Sequence, residues 1–196
     1  KHFPGHGDAA QDSHHALPRL PHDLKRLRAV ELVPFAAFAK ARLSSLMTAH
    51  VIFEALEPSK PATMSAKVLD GLLRKELGFD GVVVSDDLEM KAVSEHFPIE
   101  RAVVDGINAG VDLFLVCHDH RVQRRAIEAL VKAVENGQVK RDRLEQARER
   151  LGLATIHELM TDERYGAEYR RYEHERVPVD AVRELVGVDP EIDQAI

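Results

Sequence analysis

The sequence predicts an α/β fold assembled from parallel βα units, and three observations carry that reading. Gly81-Val82-Val83-Val84-Ser85 is a β-branched run without polar alternation, which suits a strand covered on both faces. Val111 to Val116 (VDLFLV) reads as a second buried strand, and a helical pattern over Ile99 to Ala109 separates the two. Strand, helix and strand at this spacing make a right-handed βαβ unit, in which polar residues gather where strands end.

The remaining elements follow in chain order. The first fifteen residues, KHFPGHGDAAQDSHH, scatter Pro4, Gly5 and Gly7 among many titratable groups and read as a long, shaped loop. Pro18 and Pro21 bracket a turn. His22 to Val33 places Leu24, Leu27, Val30 and Leu32 or Val33 close to helical spacing. Pro34 interrupts that pattern, and Phe35, Phe38 and Leu43 continue a second short helix. Ser44 to Ile52 reads as a short strand running into a loop, and Glu57 to Pro61 as a turn. Ser65 is a good N-cap for a helix carrying Val68, Leu69, Leu72, Leu73 and Leu77, and Gly78 suits its C′ position. Pro98 opens the helix that Gly110 ends; Arg121 to Asn136 is amphipathic, and Lys140 to Leu153 is a further helix. Residues 1–160 are expected to form one domain, with 161–196 a charged linker and short tail.

Composition narrows the partners. A net charge of −6 is modest, so neither nucleic acid nor an anionic membrane surface is suggested. No apolar segment approaches the roughly 18 residues of a membrane span. One cysteine, Cys117, excludes an internal disulfide framework and fits a reducing compartment, so a cytoplasmic location is expected.

Two stretches bring chemistry together. Asp86 and Asp87 follow the Val82–Val84 run, so Asp86 is a rigidly placed carboxylate at a strand end. Asp12-Ser13-His14 supplies a proton carrier: in an extended loop residues i and i+2 point the same way, so Asp12 reaches the His14 ring. Such a carboxylate fixes the tautomer and stabilises imidazolium near neutral pH. A carboxylate to meet an anomeric carbon and an acid to protonate a leaving oxygen are what glycoside hydrolysis needs. Asp87 reads as a turn cap, His6 as shaping the loop, and His15 and His22 as surface residues. His50 either lines the pocket or is a satisfied structural histidine. His118, Asp119 and His120 read as a cap for the following helix.

KHFPGHG followed by DSH, then LLRKELGFDGVVVSDDLEM, resembles glycoside hydrolase family 3, and within it the bacterial β-N-acetylglucosaminidases. The resemblance covers about Lys1 to Leu153. It implies a nucleophile at Asp86, an acid/base at His14 backed by Asp12, and sugar contacts from Lys1 and His2. The family's usual small residue three positions after the nucleophile is Glu89 here. The implied reaction is retaining hydrolysis of terminal β-linked GlcNAc from peptidoglycan fragments, without cofactor or metal. The implied fold is the second half of a (β/α)8 TIM-type barrel, with the N-terminal half absent and an irregular C-terminal tail. Because a whole barrel takes about 250 residues, the isolated chain is expected to have little activity. A histidine acid/base repels phosphate less than a carboxylate does, so a β-glycoside phosphorylase is an alternative, as is a β-glucosidase of the same family. A rival of another class is a metal-dependent hydrolase using His2, His6, Asp12 and His14. Pro4-Gly5 between the first two histidines destroys the helix that would put them on one face.

Overall fold

The computed structural model describes residues 1–161, so the charged stretch expected from residue 161 onward lies almost wholly outside the described residues. Lys1–Ala154 forms one compact unit. The second unit begins at Thr155, and its described part is the end of the helix Arg141–Thr161. No helix among the described residues is long and apolar enough to cross a membrane.

All described strands pair in parallel. β2 (Ser45–Met47), β4 (Val82–Asp87) and β5 (Leu113–Leu115) form one sheet with β4 central; β1 (Arg19–Leu20) and β3 (Ile52–Phe53) form another. Phe3 adds a single parallel rung beside Thr48, its N–H reaching the Met47 carbonyl at 2.8 Å. Helices Lys67–Glu76 and Ile99–Ala109 fill the crossovers from β2 to β4 and from β4 to β5, as the alternating pattern requires.

Both crossovers bury one apolar stripe. In Lys67–Glu76, Val68, Leu69, Leu72 and Leu73 turn inward; the helix is wound in the wide π manner, and the Leu77 N–H bonds to the Leu72 carbonyl at 3.0 Å. Leu69 and Leu73 have no exposed surface, and each such burial stabilises by roughly 1.5–3 kcal/mol. Gly78 ends the helix at φ +68°, as expected for its C′ residue; the N-cap is Ala66 and not Ser65, whose hydroxyl accepts from the Val68 N–H at 3.3 Å from one residue earlier. Gly81 has a different reason to be glycine. A Cβ there would lie 2.6 Å from the Leu43 and Ser44 carbonyl oxygens, where β4 begins alongside the entry to β2.

Several boundaries differ from the sequence expectation. The helix expected over His22 to Val33 covers only Leu24–Ala29, capped by Asp23, whose carboxylate accepts from the Arg26 N–H at 2.7 Å. Val30 and Val33 are 51% and 55% exposed, so the apolar spacing there did not mark a buried face. Pro34 falls in the first turn of the helix Val33–Lys40, where a missing N–H costs nothing, so it starts that helix instead of interrupting one. The turn expected between Pro18 and Pro21 is β1, too short to show a period. The short strand expected from Ser44 is β2, and the loop expected after it ends in a further strand, β3, in a second sheet. β5 is shorter than Val111–Val116, and Leu113 is 40% exposed, because the strand pairs on one side only.

One polar cluster underpins the sheet. Asp112, at the entry to β5, exposes none of its side chain. It accepts from Arg74 at 2.7 Å, Arg143 at 2.7 Å, Arg150 at 3.1 Å and the Val83 N–H at 3.0 Å. Burial, and the neighbouring Arg150, bring the Arg74 guanidinium down to about 10 against the pull of Asp112. Removing one member of such a group leaves uncompensated buried charge, at a cost of about 3–5 kcal/mol. Asp112→Asn is accordingly expected to lower the urea midpoint by an amount equivalent to about 3 kcal/mol or more, with an unchanged m-value.

Candidate active site

The site is built at the ends of the strands opposite Asp112. Between Val84 and Asp87 the β4–β5 register shifts: three steps along β4 match two along β5, from Leu113 to Leu115. The extra residue is a bulge, a device that re-aims a side chain and strengthens the local twist. The buried Ser85 hydroxyl accepts from the Leu115 N–H at 3.0 Å, filling the break in the ladder. Asp86 follows, inside the strand instead of beyond its end, with its side chain 21% exposed.

The N-terminal segment comes over this edge. Phe3 is fully buried, edge-to-face with Phe35 at 5.1 Å, and so fixes the residues on either side of it. His2 Nε2 lies 3.4 Å from Asp86 Oδ2. Burial pushes the His2 imidazole below its ordinary value, more strongly than Asp86 pulls it up.

Asp12 and His14 meet by a different route from the expected extended loop. The His14 N–H and ring Nδ1 both reach Asp12 Oδ1, at 2.9 Å and 2.6 Å. The His15 and Ala16 N–H groups reach the Asp12 carbonyl, at 3.0 Å and 3.1 Å. This is an Asx turn, so the side chain that orients the ring also folds the backbone. The His14 N–H, and then its ring, hold the exposed Asp12 carboxyl below its usual range. An ionised carboxylate can only accept, so Nδ1 carries a proton and Nε2 is the nitrogen free to exchange one.

One cavity of about 330 Å³ is lined by Lys1, His2, His6, Gly7, Asp12, Ser13, His14 and Asp86. It joins five of the six residues that sequence reasoning singled out. The sixth, His50, is not among its lining: the ring is fully buried and bonded through both nitrogens. His6 shapes the loop as expected, its Nε2 2.8 Å from the buried Ser13 hydroxyl. His22 is a correction. It is 14% exposed and braces the loop through Asp8, at 2.8 Å, instead of standing in solvent.

Asp87 ties the neighbouring loops together. Its Oδ1 accepts from the Glu89 N–H at 3.1 Å and the Cys117 N–H at 3.3 Å, and its Oδ2 lies 3.1 Å from His118 Nε2. Glu89 accepts from the N–H groups of His118 and Asp119, at 2.6 Å and 3.0 Å, just before the helix His120–Glu135. The residue that departs from the family pattern therefore links the β4 and β5 loops. Ser13 and Glu89 were invisible as contributors, because nothing in their spacing signals the partner each finds. Among the described residues no group of three or more His, Cys, Asp or Glu is arranged to hold a metal.

Residues 1–153 match the family model described as "Glycosyl hydrolase family 3 N terminal domain". The chain belongs to glycoside hydrolase family 3. A β-hexosaminidase of Alkalilimnicola ehrlichii is 48% identical over 118 residues, which are 60% of this chain and 34% of that protein. The solved family 3 β-N-acetylglucosaminidase of Paenibacillus sp. FPU-7 superposes with a TM-score of 0.78 at 47% identity, over 80% of this chain and 30% of that one. The β-N-acetylglucosaminidase of Thermotoga maritima gives 0.71 at 37%, over 79% and 33%. The chain thus spans about a third of the length of these relatives, and its parallel βα units are part of the family's TIM-barrel-like α/β fold.

His2 and His50 both titrate below the ordinary histidine value of 6.5 in the folded chain, chiefly through burial. On acidification the unfolded chain binds protons first, so stability rises with pH through this range and falls below it. Urea unfolding followed from pH 7.5 down to about 5 is expected to show a falling midpoint. His50→Gln, which cannot titrate, is expected to flatten the decline.

Proposed function

We propose that the protein is a retaining β-N-acetylglucosaminidase, releasing terminal β-linked GlcNAc of the kind found in peptidoglycan fragments. The observation that carries this reading is the single cavity that Asp86 shares with the Asp12–His14 pair. Its volume, about 330 Å³, is at the small end of ligand pockets and suits one sugar ring. The names of the relatives, β-hexosaminidase and β-N-acetylglucosaminidase, support the choice of sugar.

Two half-reactions follow from the groups present. In the first, an Asp86 carboxylate oxygen forms a bond to the anomeric carbon as the bond to the leaving oxygen breaks. His14, protonated at Nε2 and stabilised by Asp12, gives that proton to the leaving oxygen. In the second, His14 Nε2 takes a proton from water, whose oxygen bonds to the anomeric carbon and releases Asp86. Lys1 and His2, on the cavity wall beside Asp86, are donors for sugar hydroxyls. His2, neutral near pH 7 because it is buried, offers one N–H without placing a second full charge against the nucleophile.

Hydrolysis of 4-nitrophenyl N-acetyl-β-D-glucosaminide by the protein as the cell makes it tests this, since the isolated 196 residues are expected to have little activity. Asp86→Ala is expected to lower turnover on the order of 10⁴-fold or more. His14→Ala is expected to slow GlcNAc disaccharides by about 10²–10⁴-fold, and the nitrophenyl substrate far less, since nitrophenolate leaves without a proton. Equal losses on both substrates would count against His14 as the acid.

A further inference from the structure

Among the described residues, His50 is the buried titratable side chain near Asp86 that the two half-reactions leave unused. It has no exposed surface, so it cannot touch a sugar. Its Nε2 lies 3.1 Å from the Asp87 carbonyl oxygen and its Nδ1 lies 2.9 Å from the Thr63 hydroxyl. The buried Thr48 hydroxyl is 2.8 Å from the Thr63 hydroxyl. Asp87, in turn, gives its own N–H to Asp86 Oδ1 at 2.9 Å. The residue that holds one oxygen of the nucleophile is therefore itself held from behind by His50.

We propose that His50 is a positioning residue for Asp86: a neutral imidazole, protonated at Nε2 alone, that fixes the Asp87 backbone on which the carboxylate rests. This rests on the reading of Asp86 as the nucleophile.

Counting protons gives the tautomer. A carbonyl oxygen only accepts, so Nε2 carries hydrogen. The Thr63 hydroxyl has one proton and three acceptors within reach: the Thr48 hydroxyl oxygen at 2.8 Å, His50 Nδ1 at 2.9 Å and the Ala49 carbonyl oxygen at 3.1 Å. If it went to Thr48 or to Ala49, Nδ1 would need a proton of its own and the ring would be a buried cation. Burial disfavours that cation more than the facing Asp86 and Asp87 groups favour it. The Thr63 proton therefore points to Nδ1, and the Thr48 hydroxyl donates to Thr63 Oγ1. The chain of donors runs one way, from Thr48 through Thr63 and His50 to Asp87, and every buried member is satisfied. It comes from the ends of β2 and the segment before the helix Lys67–Glu76, so it places the end of β4 against two other elements.

Two measurements test this. Nitrogen-15 NMR of histidine-labelled protein at neutral pH is expected to show His50 protonated at Nε2 only, and this reading does not depend on turnover. A ring protonated at Nδ1 alone, or at both nitrogens, would overturn the proposal. In kinetics with the nitrophenyl substrate, His50→Leu is expected to lower kcat on the order of 100-fold with KM within about twofold, the signature of a misplaced reacting group. His50→Gln, whose amide N–H can reach the same carbonyl, is expected to recover most of kcat. Thr63→Val, close in volume, is expected to give an intermediate loss with His50 still protonated at Nε2, because the Asp87 carbonyl still only accepts. Variants that only lower the melting temperature, with unchanged kcat per folded molecule, would assign His50 to stability and sink the positioning role. An active Asp86→Ala protein would instead remove the nucleophile reading. An inactive Asp86→Ala alongside a fully active His50→Leu would remove this inference alone.

Discussion

Asp112 places an unexposed carboxylate at the entry of β5, where it meets guanidiniums from two helices and the Val83 N–H of β4. The Asp112 N–H returns to the Val83 carbonyl at 2.8 Å, so a single residue grips the central strand twice. Three cations around one anion repel one another, and further acceptors offset part of that cost. Arg74 also donates to the Phe79 and Gly81 carbonyls, and Arg143 to those of Ile107 and Val111. Those carbonyls lie at helix ends and strand entries, where regular pairing runs out. The cluster thus adds side-chain donors to backbone at those ends, and it ties β4 to β5 at the strand entries.

With one end of β4 fixed so firmly, its other end is free to be irregular. Val82 and Val83 are buried and pair in regular register, whereas Ser85 to Asp87 carry a bulge, a side-chain hydrogen bond in place of a backbone one, and two carboxylates. Stability concentrates at strand entries and chemistry at strand exits, the division that barrel enzymes show generally. The loops over the exit end are held by polar side chains: Ser13 by His6, Asp8 by His22, and the β5 loop by Asp87 and Glu89. The cavity wall beside Asp86 is made almost wholly of the N-terminal loop.

Much of this was legible along the chain. The Val82–Val84 run, the stripe Val68, Leu69, Leu72 and Leu73, and Gly78 at its C′ position each signal their structure within a few residues, because helix and strand periods are local properties. The Asp12–His14 pair was legible for the same reason, although an Asx turn and not an extended strand brings the two together. β1 was hidden because two residues cannot show a period, and Val30 misled because an apolar residue at helical spacing is not thereby buried.

His50 marks the boundary most clearly. Its sequence setting, at the end of a strand beside Thr48, permitted a pocket wall or a buried support, and only packing against Thr63 and the Asp87 carbonyl decides for the support. The chain's order of residues determined which titratable groups stand out and which elements carry them, since those depend on neighbours a turn or two away. The tertiary structure decided that Asp86 shares a cavity with residues more than seventy positions earlier, that Asp112 gathers three arginines, and that the β4–β5 register shifts between Val84 and Asp87. Such contacts arise between segments far apart in sequence, and no local periodicity records them.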